Sequence, residues 1–184
     1  MSTGQTIYTI SPSSDSTLAV EIRKTGLLGK RKHILFFEKF EGHLAYSAER
    51  PETSCVNMSA NAESLVCRDT WLKPKKQKQV SQYARYQALK ASTHPELTFS
   101  SSRITRKPLR GFAVEGLLEI CGAGRTVKIN VVLNQAKANS FQIDGDSTFR
   151  MSDFGIARPS RLWGLIGTHD EVVVHALLWA IRSE

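Results

Sequence analysis

Between residues 94 and 156 apolar and polar side chains alternate with a period of two, and glycines interrupt the pattern. The segments read His-Pro-Glu-Leu-Thr-Phe-Ser-Ser (94–101), Val-Glu-Gly-Leu-Leu-Glu-Ile (114–120), Val-Lys-Ile-Asn-Val-Val-Leu (127–133) and Phe-Arg-Met-Ser-Asp-Phe-Gly-Ile (149–156). Period two puts alternate side chains on one face of a strand. Several such strands joined by short turns predict an antiparallel sheet that closes or sandwiches. A closed barrel has an inside, and an inside not filled by large side chains holds a ligand.

The first half continues this pattern. Residues 18–22 alternate after the turn cluster Ser-Pro-Ser-Ser-Asp-Ser (11–16). Residues 33–46 read as one long strand, with Ile34, Phe36, Phe40, Gly42, Leu44 and Tyr46 sharing a parity. Val56, Met58 and Ala60 share a face of the next strand, which runs on towards residue 67. Residues 75–89 then change character. Pro74 suits a first helical turn, and Val80, Tyr83 and Ala84 have helical spacing, which predicts one helix. Strands follow over 97–101, 111–122, 126–134, 140–153 and 171–181, with 158–169 as a longer loop and Asp144-Gly-Asp146 as a tight turn or bulge. About eight strands and one helix, with no repeat or linker, make residues 1–184 a single domain. The last strand is apolar on both faces, Val172, Val174, Ala176 and Leu178 on one and Val173, Leu177 and Trp179 on the other. Such a strand is covered on both faces, here by the helix or by a second subunit, so a homodimer is expected.

Signals for catalysis are weak. Asp153-Phe-Gly155 matches the kinase metal-binding tripeptide, but the glycine-rich and His-Arg-Asp loops are missing. Gly26-Leu-Leu-Gly-Lys30 is too short for a phosphate loop and Arg31 replaces the required Ser or Thr. No histidine pair has metal-ligand spacing, so no metal site, catalytic residue or cofactor is expected. Cys55, Cys67 and Cys121 are an odd number with no C-x-x-C pair, which reads as three buried, inert thiols in a reducing compartment. No apolar run reaches the length of a transmembrane helix. The N-terminus lacks a basic and an apolar region, so the expected location is cytoplasmic, or periplasmic if a leader was removed. The net charge of +8 favours anionic partners. The clusters at 30–32, 73–78 and 103–110 read as solvated faces, with no nucleic acid expected and transient membrane contact as an option.

Taken in order, Pro95-Glu-Leu-Thr-Phe-Ser-Ser101, Val114-Glu-Gly-Leu-Leu-Glu-Ile-Cys-Gly122, Arg125-Thr-Val-Lys-Ile129 and Ser152-Asp-Phe-Gly-Ile156 resemble the signature blocks of the YceI-like family. Phe36, Phe40 and Gly42 resemble its second-strand Phe/Gly pattern. Met151 stands where the family usually has arginine, and Cys121-Gly-Ala-Gly124 replaces its usual turn. The resemblance implies an all-β, eight-stranded antiparallel lipocalin-like barrel with a helical insertion near the mouth. It implies a non-enzymatic carrier of a long-chain isoprenoid or other amphiphilic lipid.

With parity taken as inward, the expected cavity wall includes Ile34, Phe36, Phe40, Val56, Met58, Leu97, Phe99, Val114, Leu118, Ile120, Val127, Ile129 and Val131. The expected ligand contacts are Phe36, Phe40, Met58, Tyr83, Phe99, Phe112, Val114, Leu118, Ile129 and Phe154. Lys78, Arg85 and Arg103 are expected to meet a polar head group. Gly42 and Gly116 are expected to leave space for a ligand chain or to permit a bulge. Two other functions stay open: a basic module for an anionic polymer or membrane surface, and an enzyme acting on an apolar substrate.

Overall fold

The structure is a computed structural model that describes residues 5–26, 29–137, 139–161 and 166–183. The elements in chain order are β1 (Thr6–Ile10), β2 (Thr17–Gly26), β3 (Lys32–Phe37), β4 (Phe40–Tyr46), β5 (Cys55–Asn61) and β6 (Leu65–Cys67). Helix α1 (Pro74–Gln82) follows and widens into a π-helical segment, Tyr83–Ala88. Then come β7 (Glu96–Arg106), β8 (Phe112–Ile120), β9 (Ala123–Lys137), β10 (Ser140–Arg150), the short β11 (Ser160–Arg161) and β12 (Ile166–Arg182).

Among the described residues eight strands close an antiparallel ring, in the order β1, β4, β5, β7, β8, β9, β10 and β12, with β12 pairing back onto β1. Closure leaves these strands no free edge. The first strands serve twice. β1 pairs with residues 180–182 of β12, and β2 continues along the same edge from Leu177 to Ile166. β1 and β2 are thus one long strand, broken by the turn cluster at 11–16. β3 with β4, and β5 with β6, are broken in the same way. Glu38 and Lys39 interrupt the first, and the 3₁₀ turn Ala62–Ser64 interrupts the second. The two breaks are pinned together: the Lys39 amide donates to Ser64 Oγ at 3.0 Å and the Asn61 amide to the Lys39 carbonyl at 3.0 Å.

β7 follows β5 only as far as the Asn61–Glu96 pair, so β6 runs on beyond it. The helical segment fills this seam. Ser81 Oγ accepts the Cys67 amide at 2.8 Å, and Arg85 Nε donates to the Leu65 carbonyl at 2.6 Å. Side chains of α1 and its extension thereby satisfy backbone groups of β6 that no strand reaches. The helix expected over 75–89 is present, with Pro74 in its first turn, and its place is in the barrel wall.

Three expectations are corrected. The helix packs on β6, so it does not cover the outer face of β12. Asp144-Gly-Asp146 is neither turn nor bulge but the middle of β10, with both aspartates outward. The expected loop at 158–169 contains β11 and the start of β12, which pair with each other, while residues 162–165 lie outside the described residues. Leu27 and Leu28 of the Gly26–Lys30 segment lie outside them too. Among the described residues no helix is long and apolar enough to cross a membrane.

Candidate functional site: a two-chamber apolar cavity

Inward side chains of the ring strands, and of β2, β3 and β6 that continue them, enclose two chambers. The smaller, about 100 Å³, is lined by Ile10, Leu44, Tyr46, Val56, Ile104, Phe112, Val114, Val131, Leu133, Ile143 and Leu178, with Pro51 and Ser54. The larger, about 210 Å³, is lined by Leu18, Val20, Ile22, Leu35, Phe37, Leu65, Leu97, Leu118, Ile120, Val127, Phe149, Met151, Ile156, Val172 and Val174. Ala84, Ala88 and Leu89 of the helical segment also face it. Met58, Phe99, Ile129, Gly145 and Ala176 line both chambers and form a waist between them.

The chambers lie in line along the strands. On β12, Val172 and Val174 face the larger, Ala176 the waist and Leu178 the smaller. On β9 the same order runs Val127, Ile129, Val131. The lining is almost wholly apolar; Ser54, Ser59, Thr98, Ser147 and Tyr46 are its polar members. Small-molecule pockets span about 300–1,000 Å³. The two chambers together stand at the low end of that range.

Glycines build the waist in two ways. A Cβ on Gly116 would strike the Ser100 carbonyl oxygen and come within 2.6 Å of Phe99 Cζ. A Cβ on Gly42 would lie 2.8 Å from Met58 Cγ. The space expected for a ligand at these two positions is taken up instead by the side chains of Phe99 and Met58. The register shift opposite Gly116, between Ser101 and Arg103, is the expected bulge. Gly145 differs, since a Cβ there would make only ordinary contacts, 3.6 Å to Ile129 and 3.7 Å to Ala176.

Of the residues expected at the ligand, Met58, Phe99, Phe112, Val114, Leu118 and Ile129 line the cavity. So do Val56, Leu97, Ile120, Val127 and Val131. Phe36 and Ile34 do not. In β3 the inward side chains are Leu35 and Phe37, whereas in β4 they are Leu44 and its parity partners. The Glu38–Lys39 break flips the parity, so one reading across 33–46 cannot hold for both halves. Phe36 lies outside, with the Arg68 guanidinium 5.4 Å over its ring. Phe40 is buried in the core at the break but lines neither chamber. Phe154 is 2% exposed and packs edge-on behind Phe149, 5.2 Å between centroids. Tyr83 is exposed, because the small Ala84 and Ala88 take the inner face of the helical segment.

The head-group candidates do not converge. Arg85 is held against the Leu65 carbonyl. Arg103 pairs across from Glu115 on the outer face, and Lys78 is exposed on α1. Asp153-Phe-Gly155 belongs to a 3₁₀ turn, Met151–Phe154, rather than to a strand end. Gly155 has φ of 69° there, and Asp170 anchors the turn by accepting the Ser152 amide at 3.0 Å and its hydroxyl at 2.5 Å. The Ser152 hydroxyl holds the Asp170 carboxyl below its ordinary range.

A side-chain cluster beyond the larger chamber has no signature in the sequence spacing. Donor atoms of His33, Cys67 and Asp69 lie within 4.8 Å of one another, and all three residues are buried. Asp69 Oδ2 accepts from His33 Nδ1 at 2.6 Å and from the Cys67 thiol at 3.2 Å, and Oδ1 accepts the Ile34 amide at 2.8 Å. Trp71 stacks on the His33 ring at 5.3 Å. Burial pushes the Cys67 thiol up to about 11, so it stays protonated and donates. The carboxylate is thus satisfied by three donors, and the cluster ties β3 to the chain entering α1. The only hint in the sequence is Cys67-Arg-Asp69, a C-x-D whose histidine partner is on another strand.

The sequence profile of the YceI-like domain matches residues 8–178. The chain belongs to the YceI-like domain family. Among solved structures this YceI-like chain resembles BcnA of Burkholderia cenocepacia, with a TM-score of 0.72 at 21% identity over 89% of this chain and 95% of that one. A polyisoprenoid-binding domain from Saccharophagus degradans, implicated in plant cell wall breakdown, aligns with a TM-score of 0.64 at 12% identity over 95% and 98% of the chains. The Campylobacter jejuni YceI protein aligns with a TM-score of 0.58 at 14% identity over 82% and 84%. At these identities the likeness is one of fold. No curated protein matches the sequence. The lipocalin-like eight-stranded barrel expected of a YceI-like chain is the fold observed.

Proposed function

We propose that this YceI-like barrel is a non-enzymatic carrier of one long-chain isoprenoid or similar amphiphilic lipid. The observation that carries this reading is the pair of apolar chambers set in line along the strands, which share Met58, Phe99, Ile129, Gly145 and Ala176 as lining. A slender apolar chain threads such a space, whereas a compact solute fills one chamber. A five-carbon prenyl unit contributes about 3–4 kcal/mol gross, at about 0.8 kcal/mol per CH₂-sized group, before ordering costs. A few units therefore suffice for tight binding with no ion pair, in keeping with a cavity almost free of polar groups. The polyisoprenoid-binding relative supports the same ligand class.

Mass spectrometry of an organic extract of purified protein is the test. A long-chain lipid in stoichiometric yield is expected. Repeated empty extracts from protein purified without detergent overturn the reading.

We also propose a homodimer through the outer strip of β12, where Leu177 and Ile181 are exposed. Sedimentation is expected to give a dimer, and a monomer at high concentration overturns it.

A further inference from the structure

The net charge of the chain is concentrated. Residues 21–32 and 68–78 hold ten of the 25 cations but only two of the 17 anions, Glu21 and Asp69. That excess of eight equals the whole formal charge of +8, and the rest of the chain carries fifteen of each sign. The two segments are some forty residues apart in sequence, and the fold joins them. β3 pairs with β6 through Leu35 and Cys67, and Trp71 Nε1 donates to the Lys32 carbonyl at 3.1 Å. The Arg31 guanidinium lies 5.2 Å over the Trp71 ring. Both anions are engaged inside the patch, Glu21 by Lys32 at 2.6 Å and Asp69 in its buried cluster, and of the cations Arg68 is paired with Glu38 from outside the two segments at 2.7 Å. Lys30, Arg31, Lys73 at the N-cap of α1 and the α1 lysines Lys75, Lys76 and Lys78 remain exposed.

The position of this patch singles out its partner. The inward rows that line the larger chamber run on into it: Ile22 is followed by Lys24, Leu35 is preceded by His33, and Leu65 is followed by Cys67 and then Asp69. One helical segment supplies both surfaces, with Ala84 and Ala88 on the chamber and the lysines outside. Tyr83 and Tyr86, 41% and 44% exposed, extend the basic face with the aromatic side chains that favour a bilayer interface. Cations that attract anionic head groups, interfacial tyrosines and an apolar chamber directly behind them form one continuous end of the barrel.

We propose that this end docks on the surface of an anionic lipid bilayer, where the cavity loads or releases its chain. This rests on the lipid-carrier reading for the cargo and on charge and geometry for the docking. Sedimentation with phosphatidylcholine vesicles, with and without phosphatidylserine, tests it at physiological salt. Binding is expected only to the anionic vesicles and weakens as salt rises. The pair Lys75→Glu and Lys78→Glu is expected to lower the vesicle partition at least about 10-fold. The pair Arg103→Glu and Arg106→Glu makes the same change in net charge on exposed positions by the smaller chamber and is expected to change it less than about 2-fold. Equal losses in the two pairs, no preference for anionic vesicles, or tighter binding to a single-stranded oligonucleotide than to vesicles each overturns the docking. Organic extracts of the same samples separate the two readings. Protein that carries lipid yet ignores vesicles defeats the docking alone, and protein that is empty yet binds vesicles defeats the cargo assignment alone.

Discussion

Gly145→Leu is expected to leave the barrel folded and to abolish retention of any chain that spans both chambers. Gly145 sits mid-strand in β10, where leucine is better suited than glycine, and its Cβ meets Ile129 and Ala176 at ordinary contact distances. The rest of the side chain then occupies the waist. A ligand confined to one chamber loses several CH₂ contacts at about 0.8 kcal/mol each. Affinity for a long chain is expected to fall at least about 100-fold, which corresponds to about 2.7 kcal/mol. Organic extracts of the variant should contain no long-chain lipid while its melting temperature stays within a few degrees of the parent. Undiminished lipid would show that the chain does not pass the waist. Gly116→Ala is the contrasting change, because its Cβ collides with the Ser100 carbonyl and the Phe99 ring and disturbs the barrel itself.

Asp69→Ala is expected to destabilise the protein by about 3–5 kcal/mol. The carboxylate is nearly inaccessible and accepts from the Ile34 amide, His33 and the Cys67 thiol. Removing it orphans three donors in a region that water does not reach. For a chain of this size the loss corresponds to a fall of about 10 °C in melting temperature. Cys67→Ser keeps a donor and should cost far less. Calorimetry of the two variants decides the matter, and a shift below about 3 °C for Asp69→Ala would mean that the cluster carries little of the fold.

The legibility of the cavity followed the regularity of the strands. β8 and β9 keep one parity across the cavity, β7 keeps it as far as the bulge after Ser101, and the inward positions expected there, Leu97, Phe99, Val114, Leu118, Val127 and Ile129, all line it. β3 and β4 are separated by Glu38 and Lys39, and the phase change across that break put Phe36 on the wrong face. Tyr83 shares helical spacing with Val80, but the chamber admits alanines at the inner face of the segment and leaves the tyrosine outside. Gly42 and Gly116 were recognisable as special positions. That they seat Met58 and Phe99 depends on cross-strand neighbours that no single segment contains.

By itself the amino-acid sequence determined an antiparallel β fold with an apolar interior, a helix at 75–89 and membership signals of the YceI-like family. These are local properties: each strand carries its own alternation, and each block its own spacing. Only the tertiary structure decided where the cavity narrows, that His33, Cys67 and Asp69 meet, and that the basic segments at 21–32 and 68–78 form one surface beside the larger chamber. Those features arise from the register between strands far apart in the chain. Cross-strand pairing sets register, and a break of two residues is enough to shift it.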